Sequence, residues 1–228
     1  MVILTGGLET PLGQQWQSIS YANTNFNYQP HTSSAVKPLI GGFVGAEYVF
    51  RQQWAWQFGL GYYQTVSSTV SGEENQVPVD NPEAGNLWNY QYKILSRQLL
   101  VENKLSLILH KIYRPYVSVG VGEGFNRAYA FQATSQTEGE VATAVFSSRS
   151  NSSFIYSFGV GVDIDVLKQI RIGAGYRYAY LGAYDLGNAT LDTGGGGSVF
   201  SLPYLASKHV YNQEVVIQLT YLFQDYTL

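Results

Sequence analysis

Apolar and polar side chains alternate with period two along much of this chain, the pattern of strands whose two faces meet unlike surroundings. In 54–62, Trp54, Trp56, Phe58, Leu60 and Tyr62 share one face, and Ala55, Gln57, Gly59 and Gly61 the other. In 154–166, Tyr156, Phe158, Val160, Val162, Ile164 and Val166 oppose Ser157, Gly159, Gly161, Asp163 and Asp165. In 170–180, Ile170, Ile172, Ala174, Tyr176, Tyr178 and Tyr180 oppose Arg171, Gly173, Gly175, Arg177 and Ala179. In 214–223, Val215, Ile217, Leu219, Tyr221 and Phe223 oppose Glu214, Val216, Gln218, Thr220 and Leu222.

Three segments alternate less cleanly. In 38–50, Ile40, Val44, Ala46, Tyr48 and Phe50 face away from Phe43, Glu47 and Val49. In 115–125, Val117, Val119 and Val121 oppose Tyr116, Ser118, Gly120 and Gly122. In 90–109, Leu95, Leu99, Val101, Leu105 and Leu107 oppose Ser96, Gln98, Glu102, Lys104 and Ser106, with Arg97 and Asn103 breaking the apolar face. A short first strand at about 2–7 brings the count to eight.

The connections alternate in length as well. Tight turns fall around 51–53, 110–112 and 167–169, whereas 8–37, 68–89, 128–152 and 182–209 are long and rich in Ser, Asn, Gly, Thr and Gln, with a glycine run at 194–197. Short turns at one end and long loops at the other are the layout of a transmembrane barrel. The fold expected is all-β: one domain over 1–228, a closed eight-stranded antiparallel up-and-down transmembrane β-barrel with a short tail at 223–228 and four long extracellular loops.

Composition sharpens this picture. Only 13% of residues are charged, about half the share in a typical soluble domain, yet mean hydropathy is −0.08 and the balance is made up by uncharged polar residues, 24 Gly and 19 Tyr. Such a chain has few charges with which to cover a water-facing surface. The net charge of −3 argues against a nucleic-acid partner held through phosphates. With no cysteine, disulfides, thiolate metal sites and Cys nucleophiles are excluded. No run of about 18 apolar residues is present to form a transmembrane helix. Residues 1–7 lack the basic and long apolar regions of a signal peptide, so on the membrane reading the signal has been removed.

A sheet can bury its apolar face against another sheet or against lipid, and a soluble sandwich is the competing fold. Aromatics favour lipid: Tyr48, Phe50, Trp54, Trp56, Tyr113, Tyr116, Tyr221 and Phe223 cluster near the short turns, where a headgroup belt would lie. With Phe58, all of these except Tyr116 form the expected lipid-facing girdle. The opposite face combines glycines with Glu47, Glu102, Lys104, Arg171, Arg177 and Glu214, expected as a polar network plugging the interior, because a buried charge must be paired. Asp163 and Asp165 are expected near the turn end, facing water. Eight strands leave an interior just wide enough for side chains to fill.

Two resemblances bear on identity. The final strand, with Ile217, Leu219, Tyr221 and Phe223 alternating and ending in Tyr-x-Phe, resembles the signal by which the barrel-assembly machinery recognises its clients, although residues 224–228 follow it. Across nearly the whole chain the layout resembles the OmpA-like barrel superfamily. Thr5-Gly6-Gly7, Asn89-Tyr90-Gln91-Tyr92-Lys93-Ile94 and Val119-Gly120-Val121-Gly122-Glu123-Gly124-Phe125-Asn126 are similar to members of an expanded outer-membrane family of Legionella and its relatives. The resemblance implies a Gram-negative outer-membrane location with periplasmic termini, and little chemistry.

Other motifs carry bland readings. Gly120-x-Gly122-x-Gly124 precedes no helix and reads as strand glycines, not a phosphate loop. His31, His110 and His209 lack metal-ligand spacing, and no motif marks a catalytic triad. Glu73, Glu74, Asp80 and Glu83 form an acidic loop that could hold a divalent cation or simply be solvated. No catalytic residue, metal or cofactor is expected. The expected role is structural or in surface interaction, such as adhesion or host contact, by a monomer whose partners are outer-membrane lipid and lipopolysaccharide, the assembly machinery and a surface ligand for the loops. The alternatives are a narrow gated channel, a lipid-modifying enzyme and a soluble lipocalin-like carrier with an apolar interior.

Overall fold

The computed structural model describes residues 1–12, 17–31, 36–51, 53–136, 144–192 and 199–223. The glycine run 194–197, Gln52 of the first tight turn and the tail 224–228 lie outside them. Strands β1 (Val2–Leu12), β4 (Lys37–Phe50), β5 (Trp54–Thr65), β7 (Asn86–Leu107), β8 (Tyr113–Ser135), β10 (Arg149–Asp165), β11 (Ile170–Asp185) and β14 (Ala206–Tyr221) pair in that order, every neighbour antiparallel. The ring closes twice over. β7 pairs with β8 from Ser106↔Tyr116 to Trp88↔Ser135, and β1 pairs with β14 from Val2↔Tyr221 to Leu12↔Tyr211. Closure leaves no strand edge, as a hydrocarbon environment requires.

The alternation reads out as inside and outside. Phe58, Val160, Ile172 and Leu219 are 45%, 54%, 46% and 47% exposed, pointing away from the barrel axis, while Glu47, Lys104, Arg171 and Glu214 are buried. The girdle aromatics Tyr48, Trp56, Tyr113, Tyr221 and Phe223 are exposed on the outer face, and Phe50 and Trp54 are partly so. Asn103, which interrupts the apolar face of β7, accepts a hydrogen bond from the Trp56 indole at 3.2 Å, so neither polar atom is left bare on the lipid side.

Tyr116 lies near the short turns but outside the girdle, on the face the alternation gives it. It is buried and points inward, sharing its phase with Ser118 and Gly120. Its ring occupies the space left by Gly161 and Gly175, which face each other across β10 and β11. A Cβ on either glycine would come within 2.5 Å of the Tyr116 hydroxyl.

At the turn end the connections are tight. His110 and Lys111 both have positive φ, 50° and 64°, as the central pair of a type I′ turn requires, and Ile112 N–H bonds the Leu109 carbonyl across them. The other end differs from the long open loops expected. Strands β2 (Gln17–Tyr21), β3 (Thr24–Pro30) and β6 (Ser68–Pro78) extend the sheet from the upper part of β7, and β9 (Ala144–Phe146), β12 (Ala189–Asp192) and β13 (Val199–Leu202) form a second small sheet. β7 and β8 run 22 and 23 residues, roughly 70 Å along the strand at about 3.3 Å per residue. Even when tilted, they overrun a hydrocarbon core of about 30 Å. Much of what the sequence presents as loop is therefore strand, stacked above the membrane ring.

Candidate functional site

The interior is built in layers along the barrel axis. Nearest the turns, β11 carries Arg171 inward, and its Nη1 lies 2.7 Å from Glu47 on β4 while its Nε lies 2.7 Å from Asp165 on β10. Arg114, near the start of β8, joins the same group, with Nε 2.7 Å from Asp165 and Nη1 3.6 Å from Glu47. Gln57 Nε2 donates at 2.5 Å to Glu47 Oε2, the same oxygen that Arg171 Nη1 meets. Two guanidinium groups thus face two carboxylates, a closed and neutral cluster that fixes three separated hairpins against one another.

One layer further in, Lys104 Nζ lies 2.7 Å from Asp163, donates to Gln218 at 3.1 Å, and stands 3.7 Å over the Tyr116 ring. Above it, Arg177 Nη1 donates to Glu214 at 2.8 Å and Nη2 to Gln98 at 2.7 Å, with its guanidinium 4.0 Å from the Tyr63 ring centre. The Tyr63 hydroxyl donates to Glu102 at 3.0 Å. Between these layers lies a cavity of about 40 Å³, lined by Glu102, Lys104, Tyr116, Arg177 and Gln218 among others. That is room for a water or two, not for a continuous path.

Leu39, Tyr63, Leu100, Ile155 and Val216 form an apolar cluster beside the Arg177–Glu214 pair. Glu9, directly across the β1–β14 register from Glu214, also stands opposite Lys37 in the β1–β4 register and accepts from Asn212 at 2.6 Å, and Asn126 donates to the Leu181 and Ala183 carbonyls at 2.6 and 3.0 Å. The loop end then closes over an aromatic core in which Tyr28 packs edge-on against Tyr90 and Phe146, and Phe131 against Phe146. Ile19, Phe26, Leu186, Ala189, Leu202 and Leu205 complete it. The buried Glu74 carboxylate accepts from Gln76 at 2.8 Å and sits beside Tyr28. Burial, with Glu74 adding to it, pushes the Tyr28 hydroxyl far above the usual phenol range, and burial does the same to Tyr90. Both are neutral donors at any ordinary pH. Gln17 of β2 bridges the remaining seam, accepting from the Ala206 amide at 2.7 Å and donating to the Tyr204 carbonyl at 3.2 Å.

The six charges expected inside the barrel fall into three separate groups, not one network: Glu47 with Arg171, Lys104 with its own partner, and Arg177 with Glu214 and Glu102 nearby. Three partners were missed. Asp163 and Asp165, expected to face water, are drawn into ion pairs, and Asp163 is only 1% exposed. Arg114, which follows the second tight turn closely, is buried as well. Its parity was the available signal, since it shares the inward phase with Tyr116 and Ser118. The acidic loop does not converge: Glu74 is buried in the loop-end core, Glu73 faces His31 at 3.7 Å, and Asp80 accepts from Asn23. Among the described residues no group of three or more His, Cys, Asp or Glu could hold a metal ion. His110 lies in a turn and His209 on the outer face beside Tyr180, so the histidines share no site. Gly120, Gly122 and Gly124 lie within β8, and no helix follows it among the described residues.

A closed eight-stranded ring with lipid-compatible outer face and ion-paired interior defines a transmembrane β-barrel. The chain belongs to the outer membrane protein β-barrel domain family, whose model matches residues 4–202, and this places it in the bacterial outer membrane. Among solved structures it is similar to the outer membrane protein OprG from Pseudomonas aeruginosa (TM-score 0.50, 11% identity, covering 96% of this chain and 95% of that one). It is also similar to the outer membrane protease OmpT from Escherichia coli (TM-score 0.52, 10% identity, covering 97% and 96%). At such identities the likeness is one of fold alone. No curated protein matches the sequence.

Proposed function

We propose that this protein is a non-conducting outer-membrane anchor that holds a folded lobe at the cell surface, with a structural or surface-contact role and no catalytic one. The observation that carries this reading is the filled bore. Ion-paired groups with an apolar cluster among them fill the ring, and an aromatic core closes the loop end. A pore needs a wet path, and the cavity among the ion-paired groups holds only about 40 Å³. The loop end is built from paired strands around its own core, which suits a surface that presents a fixed shape. On this reading the turn end and the chain termini are periplasmic and the lobe is extracellular. Ile217, Leu219, Tyr221 and Phe223, all exposed on the outer face of the last strand and just beyond it, serve as the assembly signal during insertion. A surface ligand is then recognised by the lobe.

The experiment is single-channel recording of the purified protein in planar bilayers. The expected trace has no steady conductance across a wide range of voltage. Regular, reproducible current steps would replace this reading with that of a gated channel, for which the rearranging element would be the Arg177–Glu214 pair.

A further inference from the structure

The outer face changes character sharply on one side of the barrel. Along β7 and β8 the outward positions near the turn end are apolar, as with Val101, Leu105, Val117 and Val121. Towards the loop end they become alternately basic and apolar. The register sets Lys93 opposite Tyr129, Leu95 opposite Arg127, and Arg97 opposite Phe125. On β10, Ser150 and Ser152 stand opposite Arg127 and Phe125.

These residues line an outward-opening groove of about 530 Å³ with Arg97, Arg127, Phe125 and Tyr62 at its walls. The side chains of Lys93 and Arg97 make no ion pair or hydrogen bond to any described residue, and that of Arg127 only stacks on Tyr129, 5.0 Å from the ring centre. One acid, Glu123, lies on the same face, opposite Leu99 and one step nearer the apolar band, so three cations stand against one anion. On the next strands round the ring, β10, β11 and β14, the outer face carries stacked tyrosines instead, Tyr156 with Tyr180 and Tyr178 with Tyr211.

An unpaired arginine beside lipid is costly unless an anion meets it, and arginine matches phosphate oxygens through parallel N–H donors. A lone soluble phosphate would need only the cations. The groove instead runs directly into an acyl-compatible surface and is flanked by Phe125 and Tyr62, both exposed. We propose that it binds the phosphorylated diglucosamine headgroup of lipid A, with Arg97 and Arg127 on its phosphates and the acyl chains lying along Val101, Val121 and Leu99. The inference rests on the orientation given above, in which the loop end meets the outer leaflet.

The test uses the full chain in detergent micelles, with native mass spectrometry counting bound lipid. Bis-phosphorylated lipid A, its dephosphorylated form, phosphatidylglycerol and inorganic phosphate are the probes. One lipid A is expected per barrel, with affinity for the dephosphorylated form lower by roughly tenfold or more, the usual scale for losing charged hydrogen bonds. Arg97→Gln with Arg127→Gln should cost a similar factor, while unheated gel mobility shows the variant still folded. Should that variant misfold, Arg97→Lys alone is read instead, and weakening of lipid A binding is again expected because the paired donors are lost. Equal binding of the two lipid A forms, preference for phosphatidylglycerol, or an unaffected variant overturns the proposal. Labelling of Glu83→Cys on whole cells by an impermeant maleimide reports orientation separately. Labelled cells with an unaffected variant remove this proposal alone, whereas unlabelled cells remove the orientation on which it stands.

Discussion

The Arg171 guanidinium grips the Glu47 carboxylate with two nitrogens, 2.7 and 3.3 Å from its oxygens, while a third bonds Asp165. Arg171 is fully buried, so its charge depends on these partners. Glu47→Ala removes one of two carboxylates and leaves Arg171 and Arg114 short of charge. Breaking one side of a buried pair typically costs about 3–5 kcal/mol. The loss is expected in reversible urea unfolding from micelles. Glu47→Ala combined with Arg171→Met should cost less than Glu47→Ala alone, because no orphan charge remains on that side.

The Tyr116 pocket gives a prediction that separates two glycines of similar appearance. A Cβ at Gly175 would meet the Tyr116 hydroxyl at 2.3 Å, with the ring carbon behind it at 3.3 Å. A Cβ at Gly161 would also strike the Ala174 carbonyl at 2.5 Å. Both alanine variants should lose about 1–3 kcal/mol to overpacking. A Cβ at Gly175 meets the Val160 carbonyl less closely, at 2.9 Å, so adding Tyr116→Phe should recover part of the loss for Gly175→Ala and less of it for Gly161→Ala, read from the same unfolding curves.

The apolar cluster beside Arg177 and Glu214 should keep the bore dry without help from that pair. Arg177→Ala combined with Glu214→Ala removes an ion pair but leaves Leu39, Leu100, Ile155 and Val216 in place. The double variant is expected to show no steady current in planar bilayers. Channel openings in this variant, absent from the parent, would assign the block to the ion pair alone.

Phe146 touches both Tyr28 and Phe131 in the loop-end core. Phe146→Ala is expected to cost about 3–5 kcal/mol locally. Amide exchange in β9 and β12 should quicken strongly, while exchange in β10 and β11 below stays slow. Uniform quickening throughout would mean that lobe and ring unfold as one unit.

The sequence carried the ring well and the lobe poorly, for a physical reason. Within the membrane one face meets lipid and the other a packed lumen, so Phe58 and Gln57 cannot trade places and alternation is strict. Above the membrane both faces of β3 and β6 tolerate polar residues. Even so, Phe26 and Tyr28 alternate with Asn25, Asn27 and Gln29, a two-residue rhythm that places Phe26 and Tyr28 in the core. All eight ring strands run past their alternating segments at the loop end, where that contrast fades, β4 by a single residue. The pairing of charges was harder still. Asp163 and Asp165 share a phase, but only the register across three hairpins decides that one meets Lys104 and the other Arg114 and Arg171.

The seam between β1 and β14 has a kinetic consequence. Contacts such as Leu4↔Leu219 join residues more than two hundred apart, and pairings that distant are slow to find because the intervening chain must first be confined. Until β14 arrives, β1 and β11 each present a row of bare peptide groups, and every such group left in hydrocarbon costs several kcal/mol. Partly inserted sheets are therefore strongly penalised, and the last clasp to fasten is the one that makes the whole ring permanent.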